Sequence, residues 1–438
     1  MTRRNLDLTG ALAEARERYA AANPESARRH AEACTALPGG NTRSVLHYDP
    51  FPLAVMRGDG ATVWDADGHA YTDFIGEYTA GLYGHSHPRI RAAIGEVLAE
   101  GHVLCAPNVH EAKLARILCD RFASCERVRF TNSGTEANLM AITAARAHTG
   151  RDALLVFDGG YHGGVLYFAS GASPVNVPYP TVIGRYNDAS GARELIAANA
   201  ARLAAVLVEP VMGTSGFIPA EPEFLRALSE ATQAHGVVLI FDEVMTSRLA
   251  PGGAQERYGV TPDMTTFGKY IGGGLTFGAF GGRATIMDRF DPRRPDALPH
   301  AGTFNNNVLT MAAGVAGMGE IYTPAAADDL NARGDRLRGA LQRAAGELDF
   351  PARITGMGSL LGIHFVARPV AGPDDARATP PEARALFHLE MLGRGFYTGK
   401  LGLVALSLPL TDDDCSRFVG AFSGFANEHR DIYRRALA

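Results

Sequence analysis

From about residue 90 onward, short apolar runs alternate with stretches in which apolar residues recur at helical spacing. This alternation is typical of an α/β protein, in which helices connect the strands of a mostly parallel sheet. Strands of a parallel sheet are buried on both faces, so they are apolar throughout. We predict strands at Val128–Phe130, Ala153–Phe157, Val182–Arg185, Ala205–Glu209, Val237–Asp242, Met264–Phe267 and Phe277–Gly281.

The two ends of the chain have a different pattern. Residues 1 to about 36 are rich in Ala, Arg and Glu at helical spacing, until Pro38-Gly39-Gly40 ends the pattern. Residues 50–74 are typical of a meander of short strands joined by glycine-containing turns. After about residue 325 the pattern predicts helices at 328–348 and 381–394, alternating apolar residues at 352–366, and a strand at 403–408.

These patterns predict two domains. The large domain would comprise residues 61–325 and contain the seven-stranded, mostly parallel sheet. A smaller α+β domain would comprise residues 326–438 together with an N-terminal segment, residues 1–60.

Composition indicates an ordinary globular enzyme. Of the residues 46% are hydrophobic and 20% charged, no apolar run is long enough to span a bilayer, and a net charge of -5 offers no attraction for nucleic acid. The N-terminus lacks the apolar core of a signal peptide. The five cysteines are odd in number and lack metal-type spacing, so we expect reduced thiols, no metal site and a cytoplasmic protein.

Two residues near the middle of the chain suggest covalent chemistry. Asp242 ends an apolar strand, so its carboxylate would emerge at the carboxyl edge of the sheet, where open α/β folds bind ligands. Lys269 lies between an apolar segment and a glycine-rich one, in a chain whose other lysines are Lys113 and Lys400. Arginine cannot replace lysine in forming an imine with an aldehyde, because that reaction needs an amine that loses its proton.

Two further segments follow predicted strands. Ser133, Gly134 and Thr135 open an alanine-rich helix, where backbone N–H groups and hydroxyls can hold an anion, although an ordinary N-cap is an equal alternative for this segment alone. Tyr161 lies among glycines and offers an aromatic face for a flat ring, although such a tyrosine is more often a simple loop residue. Pyridoxal phosphate needs all four kinds of group: an amine, a carboxylate for its ring nitrogen, an anion cup and a stacking face.

The same residues carry a family resemblance. The chain resembles the class III aminotransferases of fold type I, a family that includes the glutamate-1-semialdehyde aminomutases, over roughly residues 35–430. Within them it is similar to the aromatic β-amino acid aminotransferases, through segments such as Asn41–Leu46, Glu77–Gly81 and Thr246–Pro251. The general motifs are Asn132–Asn138, Tyr161-His162-Gly163, Glu209-Pro210, Asp242–Thr246, Gly268-Lys269 and Gly302–Asn305.

The resemblance implies a role for each matching residue near the cofactor. Lys269 would hold pyridoxal phosphate as an imine and shuttle a proton, and Asp242 would pair with the ring nitrogen. Further contacts with the cofactor are implied for Ser133, Gly134, Thr135, Tyr161, His162, Glu209, Val244 and Thr303. Thr303 would come from the neighbouring subunit of a homodimer with shared active sites.

For the substrate, the resemblance implies transfer of an amino group from an aromatic β-amino acid to a keto acid by a ping-pong mechanism. Arg43 matches the arginine that binds the carboxylate of the β-amino acid, and without the family match it would be interpreted as a surface residue. Tyr78 and Tyr83 are expected to line the space for an aryl group.

One position departs from the family pattern. A second family arginine, which holds the carboxylate of the keto acid, aligns with Leu401, next to Lys400. We hypothesise that Lys400 acts as a point charge in its place; the alternative is that the acceptor is bound differently or is another compound. Two other functions stay open: an intramolecular aminomutase of the glutamate-1-semialdehyde type, and a non-catalytic regulator. The regulator is disfavoured because residues 1–36 are too short for a DNA-binding domain.

Overall fold

The computed structural model describes residues 7–169 and 171–437. Its helices are α1 (Leu8–Ala22), α2 (Pro24–Ala33), α3 (Pro88–Glu100), α4 (Val109–Arg121), α5 (Gly134–Thr149), α6 (Ala189–Asn199), α7 (Pro222–His235), α8 (Gly253–Tyr258), α9 (Ala284–Met287), α10 (Val308–Ala316), α11 (Pro324–Glu347), α12 (Pro373–Arg377), α13 (Pro381–Gly393) and α14 (Asp412–Ala436). Its strands are β1 (Val55–Asp59), β2 (Thr62–Asp65), β3 (Ala70–Asp73), β4 (Arg127–Thr131), β5 (Ala153–Phe157), β6 (Thr181–Gly184), β7 (Leu203–Val208), β8 (Val211–Met212), β9 (Ile218–Pro219), β10 (Val238–Asp242), β11 (Met264–Gly268), β12 (Gly278–Gly282), β13 (Arg353–Met357), β14 (Leu360–His364), β15 (Phe396–Tyr397) and β16 (Leu403–Ala405).

The central sheet has the order β4-β12-β11-β10-β7-β5-β6. Strand β12 runs antiparallel to both of its neighbours, and the other pairings are parallel. The predicted mostly parallel, seven-stranded α/β sheet is therefore confirmed. Strands β5, β7 and β10 are buried along their whole length, which explains why their sequences are continuously apolar.

The parallel strands bring the chemistry-bearing residues to one edge of the sheet. Glu209 follows β7, Asp242 ends β10, and Lys269 follows β11. Because parallel strands end on the same side, these residues share the carboxyl edge, where open α/β sheets bind ligands. Helix α5 packs across β11 and β12, so its N-terminus opens at that edge.

The C-terminal part forms a second, antiparallel sheet of order β13-β14-β16, packed against α11. Helix α1 lies against α13, which joins the N-terminal segment to this region. The predicted N-terminal helix is interrupted before Pro24, because proline cannot donate the backbone hydrogen bond of a continuous helix.

A third sheet crosses the predicted domain boundary. Strands β1, β2 and β3 form the expected meander, and β15 pairs with β3 through Phe396–Thr72 and Tyr397–Asp73. The sheet thus continues to Asp73, so a boundary at residue 60 would fall inside it.

Among residues 7–169 and 171–437, none of the helices combines the length and apolar character needed to cross a bilayer.

Candidate active site

Asp242 is the centre of a buried hydrogen-bond network. Its Oδ2 accepts from Asn138 Nδ2 at 2.8 Å and from His162 Nδ1 at 2.8 Å, and its Oδ1 accepts from Val244 N at 3.1 Å. Asn138, on α5, is itself fixed by Thr266 Oγ1, which donates to its Oδ1 at 2.7 Å. A carboxylate held by this many donors is fixed in orientation, as a partner for a protonated ring nitrogen must be.

Lys269 lies partly buried at the same edge of the sheet. Its Nζ donates to the backbone oxygen of Tyr78 at 2.7 Å and to Thr79 Oγ1 at 3.1 Å. Burial lowers the pKa of Lys269 to about 8, although the negative charges of Asp242 and Glu209 oppose the shift. An amine with such a pKa is partly neutral near physiological pH and can act as a nucleophile or a base.

The backbone around this lysine adopts unusual conformations. Glu77, Tyr78 and Thr79 have φ angles of 50°, 51° and 78°, and Lys269 has a φ of 56°. Left-handed conformations of non-glycine residues cost roughly 1–2 kcal/mol each and cluster at functional sites. In this chain they aim the Tyr78 carbonyl at the Lys269 ammonium.

The segment predicted to be an anion cup lies at the N-terminus of α5. Ser133 caps the helix by accepting from Glu136 N at 3.2 Å, and the N–H groups of the first turn have no partner within the helix. Gly163 lies against Thr135, so an added Cβ at Gly163 would be 2.3 Å from Thr135 Oγ1. Glycine there lets the chain approach the cup closely.

Val244 packs behind the same space. A Cβ on Gly134 would lie 2.8 Å from Val244 Cγ2, and one on Gly268 would lie 3.0 Å from Val244 Cγ1. The valine therefore rests against backbone on both sides, as expected for a side chain that supports a flat ring.

Glu209 fixes the loop that carries Tyr161. Its Oε2 accepts from Tyr161 N at 2.9 Å and its Oε1 from Gly213 N at 3.0 Å. Burial raises the pKa of Glu209 to about 7. Tyr161 keeps 42% of its surface exposed, and its ring meets Tyr167 edge-on, so an aromatic face stays available for stacking.

Arg43 lies at the outer end of this site. It forms an ion pair with Glu77, and its guanidinium carbon is 5.4 Å from the centre of the Tyr78 ring. Tyr78 links this cation to the lysine, because its ring lies under the guanidinium and its backbone oxygen accepts from Lys269 Nζ. A cation there can bind an anionic group of a substrate whose amine reaches Lys269.

Three other residues that were predicted to belong to the site contact other parts of the molecule or lie on its surface. Tyr83 is only 3% exposed and packs in the main hydrophobic core against Tyr270, so the structure does not place it beside an open substrate space. Lys400 Nζ donates to the backbone oxygens of Ser44 and His47. Thr303 lies exposed on the segment before α10, where it is available to a second subunit.

The site contains residues that were not singled out as site residues from the sequence. Asn138, Thr266 and Thr79 all orient the central pair, Asp242 and Lys269. Asn138 could have been found, because it closes the motif that begins at Asn132. Thr79 carries no such signal, since its contact with Lys269 joins distant parts of the chain.

These groups fit pyridoxal phosphate. The carboxylate of Asp242 is buried and Lys269 is partly buried beside it, the helix N-terminus offers N–H donors, and Gly134, Gly163 and Gly268 leave room where a side chain would intrude. The amine of Lys269 thus matches the aldehyde of the cofactor, the carboxylate of Asp242 matches its ring nitrogen, and the helix N-terminus matches its phosphate.

Known proteins support this interpretation. The chain is 50% identical over 426 residues to the beta-phenylalanine transaminase of Variovorax paradoxus, covering 97% of this chain and 98% of the relative. The crystal structure of a beta-phenylalanine aminotransferase from that organism matches with a TM-score of 0.95 at 50% identity, covering 96% of this chain and 98% of the other.

Two further relatives are more distant. A structure described as a transaminase with PLP bound matches with a TM-score of 0.85 at 33% identity, covering 94% of this chain and 99% of the other. Glutamate-1-semialdehyde 2,1-aminomutase 2 of Brevibacillus brevis is 37% identical over 417 residues, covering 91% of this chain and 97% of the relative.

The family model for class III aminotransferases matches residues 44–423. That range includes the cofactor-side residues described above, from the anion cup at Ser133 to Lys269. The fold, the arrangement of Lys269 and Asp242, and the sequence match agree, and the chain belongs to the class III aminotransferases.

Proposed function

We propose that this aminotransferase moves the amino group of an aromatic β-amino acid to a keto acid, with pyridoxal phosphate as its cofactor. The observation that carries the proposal is the position of one exposed cation, Arg43, over the ring of Tyr78, whose backbone oxygen accepts from Lys269 Nζ. The similarity to the beta-phenylalanine transaminase of Variovorax paradoxus supports the same substrate class.

When bound, pyridoxal phosphate supplies an aldehyde for the amine and a ring that accepts the electrons left by the departing proton. Lys269 Nζ would remove the proton from the carbon that bears the amine and return it to the cofactor carbon, since its lowered pKa allows both directions near pH 8. Asp242 would keep the ring nitrogen protonated. Two such half-reactions in sequence constitute a ping-pong cycle.

The remaining roles follow from position. The N-terminus of α5, with Ser133, Gly134 and Thr135, would hold the phosphate. Tyr161 would cover one face of the ring and Val244 the other. His162 would support Asp242 through its Nδ1, and Glu209 would hold the Tyr161 loop in place.

The space beside Arg43 suits an apolar group. Tyr78, Met245 and Leu401 border one hydrophobic cluster. A Cβ on Gly213 would be 2.0 Å from Met245 Cε and 3.3 Å from Glu209 Oε1, so the thioether lies next to the cofactor-side carboxyl group. An aryl side chain would gain roughly 25 cal/mol for each Å² of apolar surface that it buries there.

We also infer a homodimer with shared active sites. Val103, Leu104, Val109 and Phe304 are large apolar residues that are each at least half exposed. Two hydrogen bonds join their segments, from Asn108 Nδ2 to Asn306 O at 2.8 Å and from Asn306 Nδ2 to Ala106 O at 3.3 Å. A second copy covering this apolar surface would bring its own Thr303 toward the phosphate.

The cysteines support a reducing compartment. All five are free thiols, and Cys125 and Cys415 are buried. We therefore keep the cytoplasm as the proposed location.

An intramolecular aminomutase is the second candidate, because Leu401 occupies the place of the keto-acid arginine and an aminomutase needs no separate acceptor. Dependence of turnover on an added keto acid distinguishes the two. A transaminase requires it, whereas an aminomutase converts its substrate without it.

The direct test is a half-reaction screen. Single amines are added to the cofactor-loaded enzyme, and conversion of the cofactor spectrum to that of pyridoxamine phosphate is recorded. We expect 3-amino-3-phenylpropionate to react. Arg43→Gln should raise the KM for this donor about tenfold or more, because a charge-assisted pair is lost, while Arg293→Gln, a change at a highly exposed arginine, should leave it unchanged. A donor KM that is equal in both variants would refute the proposed role of Arg43.

A further inference from the structure

The segment that carries Arg43 has little structure of its own. Leu46 N donates to Arg43 O at 2.9 Å and His47 N donates to Ser44 O at 3.3 Å, which forms one short 3-10 turn. Within the described chain, residues 43–47 belong to no strand and no α-helix. Arg43 N also donates to Asn41 Oδ1 at 3.0 Å, and the guanidinium pairs with Glu77. These contacts hold Arg43 but not the carbonyl groups of Val45 and His47, so fixation of the turn must come from elsewhere.

Two side chains supply that fixation by donating to the carbonyls of this turn. Lys400 Nζ donates to Ser44 O at 3.1 Å and also to His47 O. Tyr78 Oη donates to Val45 O at 3.1 Å. The turn is therefore held by Lys400 from the C-terminal region and by Tyr78 from the segment that contacts Lys269.

Lys400 stands on a rigid base between β15 and β16. Gly399 N donates to Leu403 O at 2.9 Å, and Ile363 N donates to Gly402 O at 2.9 Å. Gly402 has a φ of 81°, and a Cβ there would lie 2.3 Å from Ile363 O. A lysine on such a base can fix a neighbouring turn that has few hydrogen bonds of its own.

The chemistry of the ammonium suits this task. It has three donors on a flexible stem, so it can serve two carbonyl oxygens at different angles. Both of its hydrogen bonds go to the turn, and the carboxylate of Asp49, just after that turn, opposes the fall in the pKa of Lys400 that burial causes. These contacts engage Lys400 with the Arg43 segment and not with the groups around the cofactor site.

We propose that Lys400 is a positioning residue for Arg43 and does not itself bind a substrate carboxylate. It holds the turn at Ser44 and His47, and the turn sets the height of the guanidinium over Tyr78. The proposal rests on the proposed function, because it presupposes that Arg43 binds the carboxylate of the donor.

The test is a double-mutant cycle on the cofactor-loaded enzyme, with Lys400→Met, Arg43→Gln and the double variant. Lys400→Met should raise the KM for 3-amino-3-phenylpropionate about tenfold and leave kcat within about twofold, because the bond-breaking groups are untouched. In the Arg43→Gln background the same change should add no further increase. For 1-phenylethylamine, which lacks a carboxylate, Lys400→Met should leave kcat/KM unchanged.

The controls separate positioning from general damage. Lys113→Met, at an exposed position of α4, should leave every parameter unchanged. Lys400→Arg retains N–H donors and should recover most of the lost affinity. The cofactor spectrum and the thermal unfolding midpoint establish that each variant is folded, and Lys400→Gln replaces Lys400→Met if the latter does not fold.

Two results would overturn the proposal alone. If the effects of Lys400→Met and Arg43→Gln on KM add fully, Lys400 acts on the substrate independently of Arg43. If Lys400→Met leaves KM unchanged, the contact with the turn has no role in binding. A failure of Arg43→Gln itself to raise KM would instead refute the proposed function, and this proposal with it.

Discussion

At the scale of single residues, burial decides the chemistry of this site. Lys269 lies in a low-dielectric environment that disfavours its charged form, and Asp242 and Glu209 only partly offset that cost. The neutral amine is therefore accessible without a separate base to remove its proton. The same burial requires that each polar partner be satisfied, which explains the donors grouped around Asp242.

The lowered pKa of Lys269 predicts how the apoenzyme takes up its cofactor. Only the neutral amine attacks an aldehyde, so the attachment rate should rise as pH increases through about 8 and level off above it. An ordinary lysine would level off only above its usual pKa of about 10.4. Stopped-flow absorbance after mixing apoenzyme with pyridoxal phosphate measures the rate. A midpoint near 10 would contradict the burial of this amine.

Asn138 is predicted to control cofactor affinity without touching substrate. Asn138→Ala removes the Nδ2 group that donates to both Asp242 Oδ2 and His162 O. The carboxylate of Asp242 is then less well fixed. We expect the affinity for pyridoxal phosphate to fall roughly tenfold, as for loss of about 1–2 kcal/mol from a buried hydrogen bond. Absorbance titration of the apoenzyme measures it, and Asn199→Ala on α6 serves as the control. Equal affinities in the two variants would show that the other donors suffice.

At the scale of elements, glycines in the two long C-terminal helices, α11 and α14, differ in how closely neighbouring atoms approach them. In α11, a Cβ at Gly334 would lie 2.0 Å from Gly358 O, so the helix can approach that turn only with glycine. In α14, Gly420 has no atom within 4 Å of its added Cβ. Alanine is favoured over glycine in a helix interior by about 1 kcal/mol where no clash opposes it.

These two glycines give a matched pair of stability predictions. Gly420→Ala should increase the free energy of unfolding by up to about 1 kcal/mol, because the unfolded chain loses conformational entropy. Gly334→Ala should decrease it by about 1–3 kcal/mol, because the helix must move away from Gly358. Thermal or urea unfolding of the two variants measures both changes. A stabilised Gly334→Ala protein would mean that the contact relaxes without cost.

An element could be predicted from the sequence only where its own residues carry a recognisable pattern. The strand that ends at Asp242 was predicted because a buried parallel strand is apolar throughout. The pairing of Phe396 and Tyr397 with β3 was not, since a two-residue strand has no period and its partner lies more than 300 residues away. Tyr83 was assigned to the substrate space through the family resemblance, which does not tell whether its side chain faces the cleft or the core. Only the packing against Tyr270 shows that it belongs to the core.

At the scale of the whole molecule, one hydrophobic core connects the ends of the chain. It includes Leu12 on α1, Phe387 on α13 and Tyr433 on α14, and it continues to Phe267 on β11, next to Lys269. The N-terminal helices and the C-terminal region therefore belong to one packed unit. Arg43, which follows those helices, is held relative to Lys269 through this packing and through the contacts of Lys400 with the turn.

The proposed dimer predicts the outcome of changing its apolar surface. Phe304→Glu would place a charge in the centre of an interface that buries Val103, Leu104 and Val109, and should dissociate the dimer in light-scattering measurements. Loss of affinity for pyridoxal phosphate should accompany dissociation, because Thr303 of the second copy would be absent. Leu37→Glu, at another exposed apolar residue, is the control. If the Phe304→Glu protein stays dimeric, the interface does not include this apolar surface.

Tyr78 contacts both Lys269 and the Arg43 segment, and this limits which positions can be mutated to change the substrate preference by directed evolution. Its carbonyl accepts from Lys269, its hydroxyl donates to the Arg43 segment, and its backbone is left-handed. A library at this codon would disturb turnover, recognition and folding in the same clone. Leu401 and Met245 border the same apolar cluster with side chains that cannot donate a hydrogen bond, so diversity for bulkier amines is best introduced there.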